Sequence, residues 1–291
     1  MNNWRAPDRS AQPNQMKRSE MKKTSDIRID ALEFDPEATF LRRGSSAKLD
    51  NFRALPVLLI MHQLHSSPGH LGNWFLANGF PLDIRRPCFG DPLPETLEGH
   101  AGAVIFGGPQ SANDTDDFIR REVDWISVAL KEEKPFLGIC LGAQMLALHL
   151  GAEVRAHPGG YVEHGYYPIM PTLQGRAVMN WPTQVYQWHQ EGFTAPETSV
   201  VLAEGELFCH QAFHLGPAFA LQFHPEITQM AMNHLVTRSA CQLVMPGARP
   251  GNTHRSGYLQ HGPRQRQWIG EFLTKWVGIR EGKSDPLLAA A

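Results

Sequence analysis

The sequence predicts a three-layer α/β sandwich, in which helices cover both faces of a mainly parallel central sheet and a small antiparallel addition follows. Between residues 55 and 152, short apolar runs alternate with helix-like stretches, and this alternation is typical of parallel strands joined by crossover helices. From about residue 153 to 226 the helical pattern fades, and short alternating segments favour antiparallel strands and hairpins. These two observations define the predicted fold class.

The parallel half is predicted to contain three strands, each followed by a helix. The first helix-like stretch lies around residues 69–79, and the second covers residues 116–133, where apolar residues recur at the spacing of one helix face. The third helix, LGAQMLALHLG, ends at Gly151. The strands are predicted at the apolar runs VLLIM (57–61), AVIFGG (103–108) and PFLGIC (135–140).

The second half of the chain is predicted to supply hairpins, a long loop and a closing helix. Glycine and proline recur through residues 244–264, which predicts a long loop. Residues 264–278 predict a closing helix with Trp268, Ile269, Phe272 and Trp276 as its apolar residues. The hairpin strands are predicted at AVMNW (177–181), VVLAEG (200–205), ELFCHQAF (206–213) and AFALQFH (218–224).

Composition along the chain predicts an extension, one domain and a tail. Residues 1–54 are polar and poorly periodic, which favours a mobile or surface-draped N-terminal extension. Residues 55–280 form the predicted domain, which includes the loop over 244–264 and the closing helix over 264–278. Residues 281–291 are expected to be a C-terminal tail.

Composition and charge exclude several classes of protein. The formal net charge of −2 gives no basic field for nucleic acid. No apolar run approaches the roughly 18 residues of a membrane span, and the N-terminus lacks the apolar core of a signal peptide. The four cysteines lie far apart, which favours free thiols in the reducing cytoplasm over a disulfide framework.

The sequence predicts neither a metal site nor a cofactor. The segment HQLHSSPGH contains His62, His65 and His70, but no carboxylate or thiol accompanies them as a further ligand. We therefore expect these three residues to be solvated loop histidines.

The turn GICLG (138–142) carries the strongest chemical signal. A G-x-C-x-G spacing between a strand and a helix has the form of a nucleophile elbow, and the flanking glycines allow the backbone to bend sharply. The bend would expose Cys140 at a helix N-terminus, where the helix dipole and free N–H groups favour the reactive thiolate. The N–H of Leu141 would point to the place where an oxyanion forms. The alternative is a buried structural cysteine with incidental glycines.

Two further motifs could complete a nucleophilic site. In QFHPE, His224 and Glu226 are two residues apart at the end of an apolar strand, so their side chains can share a face. Glu226 could then orient His224 as the base that a thiol nucleophile needs. The tight loop in IFGGPQS could supply a second oxyanion donor from Gly107 or Gly108. Each motif alone is typical of an ordinary turn.

Together, GGP, GICLGAQ and HPE resemble the class I glutamine amidotransferase domain in order and spacing, over about residues 55–240. The sequence is most similar to the amidotransferase part of GMP synthase and to its stand-alone bacterial relatives. The resemblance implies a flavodoxin-like sandwich. It also implies that Cys140 is the nucleophile, His224 the general base and acid, and Glu226 the orienting carboxylate.

The resemblance further implies the substrate contacts. Gln144, one turn after the nucleophile, matches the family glutamine that helps to hold the substrate. His189 and Gln190 match the His-Gln version of a motif whose backbone grips the amino-acid end of glutamine. In that motif the family serine is replaced here by Gln187 or Trp188. This departure leaves the identity of the substrate open more than the type of reaction.

Three functions remain open at this point. The first is release of ammonia from glutamine through a γ-glutamyl thioester. A separate synthetase subunit could accept the ammonia, since no phosphate-binding G-x-x-x-x-G-K-S/T loop occurs in this chain. The second is hydrolysis of γ-glutamyl peptides or amines by the same triad, because HQEGF is similar to γ-glutamyl peptide hydrolases of the same superfamily. The third is a non-catalytic partner subunit. Either enzyme would act on a small molecule, with no nucleic acid or membrane partner.

A serine-type α/β-hydrolase with cysteine at its elbow is a further alternative. Such an enzyme places its catalytic histidine last in the chain. That role would fall to His254 or His261, and the HPE motif would be a coincidence.

Overall fold

The structure of the protein is a computed structural model that describes residues 55–278. The predicted extension over residues 1–54 and the predicted tail over residues 281–291 lie outside the described residues and stay predictions. Within the described range, no helix is both long enough and apolar enough to cross a bilayer.

Strands and helices alternate through the first half of the described range, as the apolar runs predict, although these runs do not predict the strand at residues 82–85. The strands are β1 (Val57–Ile60), β2 (Leu82–Arg85), β3 (Gly102–Ile105), β4 (Phe136–Ile139), β5 (Val154–Ala156), β6 (Glu163–Pro168), β7 (Met170–Pro171), β8 (Gln184–His189), β9 (Glu191–Phe193), β10 (Val200–Glu204), β11 (His210–Leu215) and β12 (Ala218–Leu221). The helices are α1 (Gly69–Ala77), α2 (Asp117–Lys131), α3 (Leu141–His149), α4 (Leu173–Val178), α5 (Gln229–Arg238) and α6 (Gly251–Gly278).

Eight of these strands form one sheet in the order β2-β1-β3-β4-β12-β11-β10-β7. The strands from β2 to β12 in this order run parallel, and β11, β10 and β7 continue the sheet in antiparallel pairings. The pairs β5–β9 and β6–β8 form separate antiparallel sheets. The predicted fold class, a mainly parallel sheet with a smaller antiparallel part, is confirmed.

Alternation along the parallel strands determines which helices cover each face of the sheet. In β1, Val57 and Leu59 belong to the core beneath α1 and α6, whereas Leu58 and Ile60 belong to the core beneath α2 and α3. Successive side chains of a strand point to opposite faces, and all four of these are fully buried. Each such burial contributes about 1.5–3 kcal/mol relative to exposure. Burial on both faces explains why these strands are continuous apolar runs.

Helix α2 confirms the amphipathic pattern, but its buried face contains one carboxylate. Ile119 and Ile126 are fully buried against the sheet. Glu122 lies between them on the same face and is also fully buried. Burying a charged group is unfavourable unless it is paired, so Glu122 requires a partner in the core.

One of the predicted hairpin strands is wrong. Residues 177–181 end the short helix α4 and then continue without regular structure. The Thr172 hydroxyl oxygen caps this helix by accepting a hydrogen bond from the Gly175 N–H at 2.9 Å. Met179 and Trp181 are buried in the main core, so their alternate spacing reflects packing of an irregular segment. The other three predicted strands are present, although the third begins only at His210.

The predicted long loop over residues 244–264 is also wrong. Helix α6 begins at Gly251 and continues to Gly278 through Pro263, so the closing helix is about twice as long as the sequence pattern indicates. Proline inside a helix removes a backbone hydrogen bond and disfavours the helix locally. Here His254 and Tyr258 are buried, and this tertiary packing overrides the weak local propensity.

Packing of α6 against the sheet gives a stability prediction. Trp268 is fully buried and contacts the rings of Phe223 and Phe272, so Trp268→Ala should lower the free energy of unfolding by about 3–5 kcal/mol. Leu259 in the same helix is 65% exposed, so Leu259→Ala should change it by no more than about 0.5 kcal/mol. Urea denaturation followed by circular dichroism measures both values. Equal effects of the two substitutions would contradict this packing.

Candidate active site

Cys140 sits in a strained turn between β4 and α3. Its backbone has φ = 50° and ψ = −105°, a conformation that a residue with a side chain adopts only at a cost of about 1–3 kcal/mol. A Cβ atom on Gly138 would lie 2.4 Å from the Gly142 carbonyl oxygen, and one on Gly142 would lie 2.1 Å from the Ile105 carbonyl oxygen. Both glycines of the G-x-C-x-G spacing are therefore required by close backbone approach.

The surroundings of the Cys140 thiol combine a helix terminus with a strand backbone. Leu141 is the first residue of α3, and backbone N–H groups in a first helical turn lack an intrahelical acceptor. The helix dipole favours negative charge at this end. Cys140 is 6% exposed, and its thiol donates a hydrogen bond to the Trp188 carbonyl oxygen in β8 at 3.9 Å.

His224 and Glu226 form a hydrogen-bonded pair just beyond β12. His224 Nδ1 lies 2.7 Å from Glu226 Oε1, and both side chains are largely buried. The backbone of His224 is fixed on both sides: its N–H donates to the Tyr186 carbonyl oxygen at 2.8 Å, and its carbonyl oxygen accepts from Gln265 Nε2 at 2.8 Å. His224 Nε2 is buried and has no hydrogen-bond partner among residues 55–278. Glu226 thus occupies one ring nitrogen and leaves the other available.

Gly107 brings the three sequence motifs together. A Cβ atom added to it would lie 2.8 Å from His224 Cε1 and 3.3 Å from Cys140 Cβ, so the glycine loop directly contacts both side chains. The Cys140 sulfur lies beside the His224 ring, close enough to raise its pKa, although the thiol hydrogen bond with standard geometry goes to the Trp188 carbonyl oxygen. Catalytic hydrogen bonds are often long or poorly aligned before substrate binds.

Two opposing influences set the pKa of His224. Burial alone would lower this pKa, but the Glu226 carboxylate and then the adjacent Cys140 sulfur outweigh burial and raise it well above 6.5. A protonated His224 is therefore favoured at neutral pH. Such an imidazolium stabilises a nearby thiolate and holds a proton that a leaving group can take.

Two of the three residues expected to contact substrate, Gln144 and His189, share one hydrogen-bond acceptor. Gln144 Nε2 and His189 Nδ1 both donate to the Glu191 carbonyl oxygen, at 2.7 and 2.9 Å. His189 Nε2 lies 2.9 Å from Glu163 Oε2. Gln190 is exposed at the bend between β8 and β9. The Gln144 and His189 side chains therefore hold the backbone of this segment.

Gln187 and Trp188, the two residues of which one is expected at the family serine position, have different surroundings. Gln187 is fully buried, and its Nε2 donates to Gln211 Oε1 at 2.6 Å. Trp188 instead brings its carbonyl oxygen to Cys140. The ring of His164 stacks on the Trp188 indole with centroids 4.4 Å apart, and burial lowers the pKa of His164 to about 4. The neutral, buried ring of His164 thus packs against Trp188, whose carbonyl oxygen contacts Cys140.

Glu191 is a connecting residue that the sequence pattern did not reveal. Its Oε2 accepts a hydrogen bond from Ser111 Oγ at 2.6 Å, and Ser111 belongs to the glycine loop IFGGPQS. Its backbone oxygen accepts the bonds from Gln144 and His189. Glu191 therefore joins the glycine loop to the segment after β8. The acidic residue is visible in HQEGF, but its partners are distant in sequence.

Two of the three histidines that we expected to be solvated are buried. His62 is 3% exposed and its Nε2 lies 2.8 Å from Glu122 Oε2, which is the partner that this buried carboxylate requires. His70 is 7% exposed and its Nε2 lies 3.1 Å from the Tyr258 hydroxyl. His65 is exposed, as predicted. Within residues 55–278 no three His, Cys, Asp or Glu side chains are grouped closely enough to hold a metal ion.

The raised pKa of His224 can be tested by titration. We predict that Glu226→Gln lowers this pKa, because a neutral amide of the same shape no longer stabilises the imidazolium. Heteronuclear NMR of the histidine rings against pH measures the change, and Glu153→Gln, which alters a 71% exposed carboxylate, is the control. The folded-state pKa exceeds the unfolded value, so protonated His224 stabilises the fold. This contribution is complete below about pH 6.5 and is lost as pH rises through the folded-state pKa. A pKa unchanged by Glu226→Gln would contradict the pairing.

Comparisons with known proteins identify the family of this site. The model of the family glutamine amidotransferase class-I matches residues 79–242. The glutamine amidotransferase-like protein YfeJ of Salmonella typhimurium is 30% identical over 199 residues, covering 65% of this chain and 82% of YfeJ. One subunit of the glutamine-hydrolyzing GMP synthase of Ignicoccus hospitalis is 31% identical over 156 residues, covering 52% of this chain and 80% of that subunit. A crystal structure of a glutamine amidotransferase from Thermotoga maritima matches with a TM-score of 0.69 at 26% identity, covering 78% of this chain and 99% of that one. The chain belongs to the class I glutamine amidotransferase family.

Proposed function

We propose that the protein hydrolyses the side-chain amide of glutamine, with Cys140 as nucleophile, His224 as general acid and base, and Glu226 as the orienting carboxylate. The proposal depends mainly on one observation. An elbow cysteine and a histidine converge on Gly107, and the histidine has Nδ1 bound to a carboxylate and Nε2 without another partner among the described residues. This is the arrangement that an activated thiol nucleophile needs.

The first half of the proposed reaction forms a thioester. The Cys140 thiolate attacks the carboxamide carbon, a C–S bond forms, and the carbonyl π electrons move to the oxygen. The N–H of Leu141 and an N–H of the Gly107–Gly108 loop stabilise this oxyanion. As the C–N bond breaks, His224 gives its Nε2 proton to the nitrogen, and ammonia leaves. The γ-glutamyl group remains on the sulfur.

The second half releases glutamate. His224, now neutral at Nε2, accepts a proton from water while the water oxygen attacks the thioester carbon. The C–S bond breaks, glutamate leaves, and Cys140 and His224 return to the thiolate–imidazolium pair. Glu226 takes no part in these proton transfers, because its role is to hold Nδ1 and to stabilise the imidazolium.

We assign substrate binding to the end of β8 and the bend that follows it, residues 188–190. The Trp188 carbonyl oxygen is already at the thiol, and the exposed Gln190 follows at the bend, so the backbone from Trp188 to Gln190 is suited to the amino-acid end of glutamine. Gln144 and His189 support this backbone through the Glu191 carbonyl oxygen. Their role is therefore to hold the segment that binds substrate.

We further propose that the ammonia passes to a separate synthetase subunit. The similarity to a protein named as one subunit of a glutamine-hydrolyzing GMP synthase supports this arrangement. A nucleophilic thiol works in its reduced form, so the reducing cytoplasm is the proposed compartment.

Hydrolysis of γ-glutamyl peptides or amines is the second candidate function. It is favoured by the departure at the family serine position, where the amide nitrogen of Gln187 donates within the core to Gln211. The chemistry would be the same, with an amine in place of ammonia as leaving group.

A non-catalytic partner subunit is the third candidate. The serine-type α/β-hydrolase alternative is excluded by membership of the amidotransferase family, and the ring nitrogens of His254 bind Tyr186 and Arg249.

Glutamate release by the purified chain tests the proposed function. We predict that Cys140→Ser lowers the rate with L-glutamine at least about 10³-fold. Cys209→Ser should leave the rate unchanged, because Cys209 is a free, exposed cysteine without a role in the site. A coupled glutamate dehydrogenase assay measures both, beside a panel of γ-glutamyl peptides and amines.

The outcomes of this assay distinguish the candidates. Glutamine turnover that survives in Cys140→Ser would contradict the triad. Turnover of a γ-glutamyl peptide without turnover of glutamine would favour the second candidate. A wild-type chain without activity on any substrate, whose Cys140 also resists alkylation by iodoacetamide, would favour the non-catalytic role.

A further inference from the structure

We propose that His62, held by Glu122, is a positioning residue that fixes the Gly107–Gly108 peptide so that the Gly108 N–H faces the nucleophile as oxyanion donor. The inference deepens the proposed function and rests on it. It assigns a role to two buried polar side chains outside the triad, and it distinguishes between the two glycines.

The contacts of His62 connect helix α2 to the glycine loop. His62 lies two residues after β1, and Glu122 lies in the second turn of α2. His62 Nε2 is 2.8 Å from Glu122 Oε2, and its Nδ1 is 3.2 Å from the Gly107 carbonyl oxygen. Both side chains are fully buried. The imidazole therefore bridges a rigid helix and the loop beside Cys140.

Hydrogen-bond chemistry fixes the proton on Nδ1 of His62. The Gly107 carbonyl oxygen can only accept, so Nδ1 must carry the hydrogen. Glu122 permits this state whether it is ionised or protonated. A carboxylate accepts from Nε2–H of an imidazolium, whereas a carboxylic acid donates to Nε2 of the neutral ring. In both cases Glu122 leaves Nδ1 as the donor toward the loop.

The geometry of the peptide bond transmits this contact to the active site. No cis peptide occurs among the described residues, and in a trans peptide the C=O of Gly107 and the N–H of Gly108 point in opposite directions. The Gly107 oxygen points to His62, so the Gly108 N–H points away from His62.

Cys140 and His224 lie on the side of the glycine loop that faces away from His62. A Cβ atom on Gly107 would lie 2.8 Å from His224 Cε1 and 3.3 Å from Cys140 Cβ, whereas one on Gly108 would lie 2.8 Å from His62 Cβ. The loop is therefore enclosed between the His62 ring and the nucleophile. An N–H that points away from His62 is therefore directed toward the side of Cys140 and His224.

The position of Glu122 supports a functional reason for the pair. It lies on the apolar face of α2 between Ile119 and Ile126, where a hydrocarbon side chain would pack without a desolvation penalty. Buried ion pairs are often less stabilising than apolar residues of similar volume. Stability alone therefore does not account for His62 and Glu122, whereas orientation of the glycine loop does.

Two substitutions at His62 separate its two hydrogen bonds. Asparagine places an amide nitrogen near the position of Nδ1, so His62→Asn keeps a donor to Gly107. Glutamine places the amide nitrogen near the position of Nε2. His62→Gln therefore keeps the contact with Glu122 and loses the hydrogen bond to the Gly107 carbonyl oxygen. We predict that His62→Gln lowers kcat for glutamine about 10²–10³-fold with little change in KM, as for loss of an oxyanion donor. His62→Asn should keep kcat within about tenfold.

His100→Gln is the matched control. His100 is also a buried histidine paired with a carboxylate, with Nε2 at 3.0 Å from Asp83 Oδ2. The pair lies away from the glycine loop, so His100→Gln should leave kcat unchanged. If His62→Gln fails to fold, Glu122→Ala and Glu122→Gln provide the comparison. We expect Glu122→Ala to lose kcat and Glu122→Gln to keep it. Equal kcat values in these two variants would overturn the proposal.

Crystal structures of the wild-type chain and of His62→Gln supply a readout that does not require activity. We expect the Gly107 oxygen to face His62 in the wild type and the Gly107–Gly108 peptide to turn or lose order in the variant. An unchanged peptide in His62→Gln would overturn the proposal. The proposal would also be overturned if His62→Gln and His62→Asn lost kcat equally and in proportion to their loss of thermal stability. A wild-type chain that hydrolyses no substrate, and whose Cys140 also resists alkylation by iodoacetamide, would refute the proposed function, while the peptide orientation would still decide the role of His62.

Discussion

The structure of the site depends on a close backbone approach at the start of α3. A Cβ atom on Gly142 would overlap the Ile105 carbonyl oxygen, so only glycine allows the first turn of α3 to lie against the end of β3. This approach places the helix terminus, with Cys140 at its cap, next to the loop that follows β3. The strained φ of Cys140 is a consequence, because the chain must reverse within one residue. The proposed nucleophile and the proposed oxyanion donors are therefore positioned by the same contact.

Paired histidines are the second organising feature around the nucleophile. In each pair a carboxylate fixes one ring nitrogen, which determines what the other nitrogen presents. His224 presents Nε2 toward the thiol, His62 presents Nδ1–H to the glycine loop, and His189 presents Nδ1–H to the segment after β8. The loop and the segment are also tied together by Glu191. The pairs are His62–Glu122, His189–Glu163 and His224–Glu226.

Local sequence predicted the features that are encoded locally. The elbow at Cys140 and the pair His224–Glu226 each lie within five residues, so spacing alone indicated their geometry. Glu122 was recognisable only as a carboxylate within an apolar helix face, because its partner is distant in sequence. Helix α6 was missed over its first half because glycine and Pro263 disfavour a helix locally, whereas burial of Tyr258 stabilises it. What sequence reasoning missed therefore depends on tertiary contacts.

The order of the parallel strands determines how far the residues of the proposed site lie from Cys140. His62 follows β1, Gly107 follows β3, Cys140 follows β4 and His224 follows β12, and these strands are consecutive neighbours in the sheet. Parallel strands present their carboxyl ends at one edge, where α/β proteins bind ligands. Cys140 therefore follows a strand that lies between the strand before the glycine loop and the strand before His224. His62 lies one strand farther out and contacts the loop at the Gly107 carbonyl oxygen, so we expect its influence on the sulfur to pass through the Gly107–Gly108 peptide.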